Sequence, residues 1–102
     1  CANVGDNTVT LTGTDPSGNS ATCSATVTVQ DLINPTITCP ANVSVDTDAG
    51  SCDATGVALG TPVTGDNCGV ATVANDAVEP FAIGNTTVTW TVTDDNSNTA
   101  TC

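Results

Sequence analysis

The chain has 102 residues, among them 11 Asp or Glu and no Lys, Arg or His, for a formal net charge of −11. That balance excludes the phosphate contacts on which nucleic-acid binding rests, and an anionic membrane surface would repel the chain. It also excludes every salt bridge between side chains and leaves Ser and Cys without a conventional base, so no enzyme is expected.

In chain order, residues 8–14 put Val9 and Leu11 on one face and threonines on the other, the pattern of a half-buried strand. Asp15-Pro16-Ser17-Gly18-Asn19 is a turn by composition. Residues 20–30 alternate again, with Ala21, Cys23, Ala25, Val27 and Val29 on one face, so the two strands form a hairpin. Gln30 to Pro35 is a short, semi-rigid linker. Residues 36–47 predict a strand interrupted at Pro40, with Ile37, Cys39, Val43 and Val45 of one parity. After a turn at Asp48-Ala49-Gly50, residues 52–63 predict a strand with Val57, Leu59 and Val63 inward. A loop through Asp66 and Asn67 leads to Cys68, and a strand begins at Val70. Residues 79–84 turn the chain into a last hairpin, where Val88, Trp90 and Val92 face in.

That last hairpin is a repeat of the first. Gly84 to Cys102 aligns without a gap on Gly5 to Cys23 at an offset of 79 residues, with 11 of 19 positions identical. Residues 1–30 therefore read as the closing strands of one unit. Residues 31–102 read as the next unit, lacking the strand equivalent to Ser24–Gln30. Strand count and spacing predict an all-β, immunoglobulin-like Greek-key sandwich, repeated end to end. The core is thin, with one Phe, one Trp, no Met and no Tyr, and six cysteines are available as staples. No CxxC pair and no His exist for a zinc site, so the cysteines predict disulfides in an oxidising, extracellular compartment. No targeting peptide or membrane-length apolar run is visible.

Several stretches together resemble the hyalin repeat (HYR) family. They are Pro35-Thr-Ile-Thr-Cys39-Pro40-Ala-Asn-Val-Ser-Val, Asp66-Asn67-Cys68-Gly69, the run from Phe81 to Trp90, and Asn98-Thr-Ala-Thr-Cys102. The resemblance covers residues 35–102, and residues 1–30 match the tail of a neighbouring unit. It implies an immunoglobulin-like fold and a role in adhesion or extracellular matrix. Cys1-Ala-Asn-Val-Gly5 is similar to a variant repeat of giant secreted surface proteins of gliding bacteria, which implies a gliding adhesin exported by type IX secretion.

In a sandwich of this order the strand at Cys39 and the one beginning near Cys102 start at one end, which favours a Cys39–Cys102 bridge. Cys52–Cys68 follows by elimination, although the strand between them can carry its ends too far apart. Cys1 and Cys23 then pair upstream or with each other. Nothing electropositive is present to activate a thiolate, so the cysteines read as structural. Trp90 reads as core. Asn42-Val-Ser44 and Asn85-Thr-Thr87 fit the N-glycosylation sequon.

Calcium is the cofactor expected from the acidic residues. In an end-to-end sandwich the linker brings Asp31 and Asn34 to the top of the second unit. The loop before Cys68 brings Asp66 and Asn67 to that end, and the hairpin loop brings Asp94, Asp95 and Asn96. Carboxylate and amide oxygens are the hard ligands that Ca²⁺ takes, and no cationic side chain offsets their charge. Against this stands the ordinary use of Asp and Asn in turns. The expected role is an extracellular structural or adhesive repeat of a long cell-surface filament, with neighbouring repeats, surface glycans or proteins as partners. A carbohydrate- or protein-binding accessory domain of a secreted protein is the alternative.

Overall fold

Threonine–valine alternation with Gly, Asn and Asp between the runs gives strands and turns, and nothing in the chain forms a helix. The computed structural model describes all 102 residues as nine strands, every pairing antiparallel. The residues form two units, Cys1–Leu32 and Ile33–Cys102.

The first unit is a hairpin of β1 (Gly5–Thr14) and β2 (Ser20–Val29), paired from Gly5↔Val29 to Thr14↔Ser20 without a bulge. Its apolar residues are on one face, as the alternation requires, yet they are exposed: Leu11 is 70% accessible. A two-stranded ribbon has no second layer to cover that face. Half-burial, expected from the sequence, is therefore not what this hairpin shows.

The second unit holds β3 (Thr36–Thr38), β4 (Asp53–Ala54), β5 (Val63–Gly65), β6 (Val70–Asn75), β7 (Phe81–Ala82), β8 (Trp90–Asp94) and β9 (Thr99–Thr101). β3 pairs with β5, β4 with β7, and β6–β8–β9 form a three-stranded sheet. β3 lies close to β8 and β9. The Cys39–Cys102 disulfide joins the two at that point, with the Cα atoms 5.7 Å apart. This is the all-β sandwich class that the strand spacing predicts. Val92, in the middle of β8, is fully inaccessible, and Ala54 is the other buried aliphatic residue.

Three strand expectations need correction. Residues 36–47 do not run as one interrupted strand: β3 stops at Thr38, and Val43 and Val45 remain about half accessible. Residues 52–63 form only the two-residue β4 and the start of β5. Val63 points outward, 74% accessible, whereas Val57 and Leu59 are half-buried. Gly60, at a φ of 79°, breaks the alternation between them, so Pro62 takes the inward position and Val63 the outward one.

Candidate functional site

With no cation in the chain, its carboxylates turn to backbone N–H groups. Asp48 accepts from the Thr55 amide at 3.0 Å and hydroxyl at 2.7 Å, Asp76 from the Thr89 amide at 2.7 Å, and the two Glu79 oxygens from the amides of Gly56 and Val57, each at 3.0 Å. These bonds clamp loops that carry almost no strand structure, and hydrogen bonds to a charged acceptor are the stronger kind. Sequence reading placed Asp48 and Glu79 in turns but named none of the three as a site residue. Their only signal was that a chain without Lys or Arg has few other donors to offer them.

The fullest clamp is in the hairpin loop, and it occurs twice. Asp94 Oδ1 accepts from the amides of Asn96 and Asn98, each at 2.8 Å, and Oδ2 accepts from Asn98 Nδ2. In the first unit Asp15 Oδ1 accepts from Ser17 and Asn19, each at 2.9 Å, and Oδ2 from Asn19 Nδ2. Asp15 and Asn19 lie 79 residues before Asp94 and Asn98 and are identical to them. Gly18 and Ser97, also equivalent, share a left-handed φ near 80°. The repeated Asp and Asn were the signal for this clamp, and Asn98 was missed as a site residue.

Burial pushes the Asp94 carboxyl upward, but the Asn98 side chain and the backbone amides of Asn98, Asn96 and Ser97 prevail and hold it below its ordinary 3.8. At Asp15 the Asn19 side chain, the Asn19 amide and then the Ser17 and Gly18 amides outweigh a smaller burial effect, and its carboxyl is lowered too.

Beside Asp94 in the second unit lies Asp66, another of the residues singled out for calcium. Asp66 Oδ2 accepts from the amides of Cys68 at 2.6 Å and Gly69 at 3.0 Å. Its Oδ1 is shut from solvent and has no hydrogen-bond partner. A carboxylate oxygen of Asp66 lies within 4.8 Å of one of Asp94. The Asp95 amide donates to the Gly69 carbonyl at 3.2 Å, and a Cβ on Gly69 would fall 2.7 Å from Asp95 Oδ2. Gly69 has a φ of 115°, so glycine is required there on both counts. Asn34, Asp66 and Asn67 border one small hollow with Ile33, Thr36 and Gly65. Asn96 contributes its amide to Asp94. Asp31 belongs to the first unit and is buried.

Cys68 is disulfide-bonded, as is Cys1, whereas Cys52 and Cys23 are free thiols. The Cys52–Cys68 bridge expected by elimination is therefore absent, and Cys1 and Cys23 do not pair with each other. Elimination failed because it assumed that every cysteine of the second unit is bridged, whereas Cys52 is a free thiol. Trp90 is half-buried, and both sequon asparagines, Asn42 and Asn85, are exposed. No helix is long and apolar enough to cross a membrane.

The HYR domain model matches residues 2–29 and again 30–102. The chain is 34% identical over 103 aligned positions to hyalin of Strongylocentrotus purpuratus, covering 95% of this chain and 8% of that protein. It is 34% identical to hyalin of Lytechinus variegatus over the same length, covering 96% of this chain and 19% of that protein. The chain thus spans a small part of the curated relatives it matches. No solved structure matches. Two successive family matches, meeting where the hairpin repeat gives way to the next set of strands, show that the chain belongs to the HYR domain family.

Proposed function

We propose that this chain is a structural and adhesive repeat of a long extracellular filament or cell-surface adhesin. One observation carries the reading: the hairpin of the first unit recurs in the second with the same pairing register and the same Asp–Asn turn clamp. Such duplication of an element without catalytic residues suits a spacer, because each unit repeats one supersecondary solution. The disulfides suit an oxidising exterior. The similarity to hyalins and the HYR family supports the adhesive part. The finer reading, a gliding adhesin of the type IX secretion class, follows the resemblance of Cys1–Gly5 to bacterial surface repeats. Antibodies raised against the chain should label intact, unpermeabilised cells of the source or their surrounding matrix. Labelling only after permeabilisation would sink the proposal.

A calcium ion at the loop end of the second unit belongs to the same proposal. Support comes from the buried, unpartnered Asp66 Oδ1 and its neighbour Asp94, two like charges held close with no cationic side chain to offset them. Asp66 and Asp94 would supply charge, with Asn34, Asn67, Asp95 and Asn96 as the nearby oxygen sources. Millimolar Ca²⁺ should raise the melting temperature relative to chelator, and Asp66→Asn, which keeps an acceptor for the Cys68 and Gly69 amides, should abolish that rise. An equal rise in Asp66→Asn, or none in the parent chain, would dismiss the ion and leave turn clamping as the whole role of these residues.

A further inference from the structure

The second unit has a long slot open to solvent, about 850 Å³ in volume. One wall is the stretch after Cys39, including Val43 and Val45. The other is the stretch from Gly84 to Val88, and Leu59 and Trp90 also line it. Val43, Val45 and Ile83, which a closed sandwich would cover, are 48, 54 and 75% accessible. Asn85 to Val88 belong to no strand and make no backbone hydrogen bond.

The first unit shows what such a stretch pairs with. In the second unit Thr91↔Thr101, Val92↔Ala100 and Thr93↔Thr99 are paired, and Trp90 and Cys102 exchange two backbone bonds at 2.9 and 3.0 Å. Shifted by 79, these are the pairs Thr12↔Thr22, Gly13↔Ala21, Thr14↔Ser20 and Leu11↔Cys23 of the first hairpin. There the ladder continues from Thr10↔Ser24 to Gly5↔Val29. The equivalents of Gly5 to Thr10 are Gly84 to Thr89, the wall of the slot. Cross-strand partners share a face, so an added strand with the Ser24–Val29 pattern turns its Ala, Val and Val toward the side of Val88, Thr86 and Gly84, which line the hollow.

We propose that this slot is an acceptor for one further β-strand, and that its occupant is an extended segment with the alternation of Ser24–Val29. The incoming strand runs antiparallel to residues 84–89 in continuation of β9. Because Trp90 and Cys102 form a hydrogen-bonded pair, the ladder must bond alternate residues beyond it. Val88 and Thr86 send their amides to the new strand, and Thr87 and Asn85 point theirs away. The Thr89 carbonyl and amide face the opposite edge already, bonded to Asp76.

The test adds a synthetic peptide with the sequence of Ser24–Gln30 to the oxidised 102-residue chain, beside a version of the chain that carries those seven residues directly after Cys102. The expected result is one-to-one binding and amide exchange slowed at Thr86 and Val88 by about a hundredfold in the extended chain, with Thr87 and Asn85 little changed. A peptide with its Ala and two Val positions replaced by Ser should not bind. Unslowed exchange at Thr86 and Val88 in the extended chain would overturn the proposal, as would protection of Thr87 and Asn85 instead. A dimer of the 102-residue chain that persists after extension, with those amides already protected, would put a second copy in the slot and overturn it too.

Discussion

Replacing Cys39 and Cys102 together by Ala should cost the second unit most of its stability. The bridge closes a loop with a sequence separation of 63 residues. Chain-entropy arithmetic for that length gives about 4 kcal/mol, lost when the unfolded chain is freed. Little packing goes with it, since Cys39 is exposed and Cys102 only half-buried. A unit of this size holds roughly 4–10 kcal/mol in all, and its aliphatic core is little more than Val92 and Ala54. The double variant should therefore lie near the edge of unfolding at room temperature. Urea denaturation followed by Trp90 fluorescence measures the difference, with the other four cysteines unchanged. A loss below about 1 kcal/mol would refute the reasoning, because the fold would then hold without the constraint.

The remaining predictions concern the clamps and the core. Asp94 has a folded-state carboxyl below its ordinary 3.8, so its stabilisation is complete above that value and is lost as pH falls through the lowered one. Melting temperature should be flat near neutrality and fall below pH 3.8, and Asn98→Ala should shrink that acid loss; equal acid limbs in both proteins would contradict the clamp. Glu79→Gln should cost about 1 kcal/mol by weakening the bonds from the Gly56 and Val57 amides, read by chemical denaturation. Val92→Ala should cost about 2–3 kcal/mol, since two methyl groups leave a fully closed site. Trypsin should leave the oxidised chain intact, as it has no Lys or Arg, and SDS gels after prolonged digestion check this.

The repeated hairpin was legible because its pairing is local: alternation gave the faces, and the 79-residue offset tied one copy to the other. Cys39 and Cys102 were readable from strand order. The middle of the second unit was not. Alternation tells which residues share a face but not which strand lies beside them, and residues 39–47 and 85–88 find none. Val63 was misjudged because Gly60 reverses the parity, an event that depends on a backbone angle. Asp94 was singled out from its charge, but the turn network that Asn98 builds around it was not read. Asp15 and Asn19 carried that same message in the first copy.

The most direct test of a disulfide-stapled repeat is to pull single molecules of a protein made of tandem 79-residue units. With Cys39–Cys102 formed, a 79-residue period less the 63-residue loop leaves about 16 residues free to extend, or roughly 55 Å per unit. After reduction the whole period can extend, to about 270 Å, before the folded length is subtracted. The account predicts short, regular steps in oxidant that lengthen in reductant by roughly 210 Å, the extended length of the 63-residue loop, whatever the folded length. Steps of one length under both conditions would contradict it.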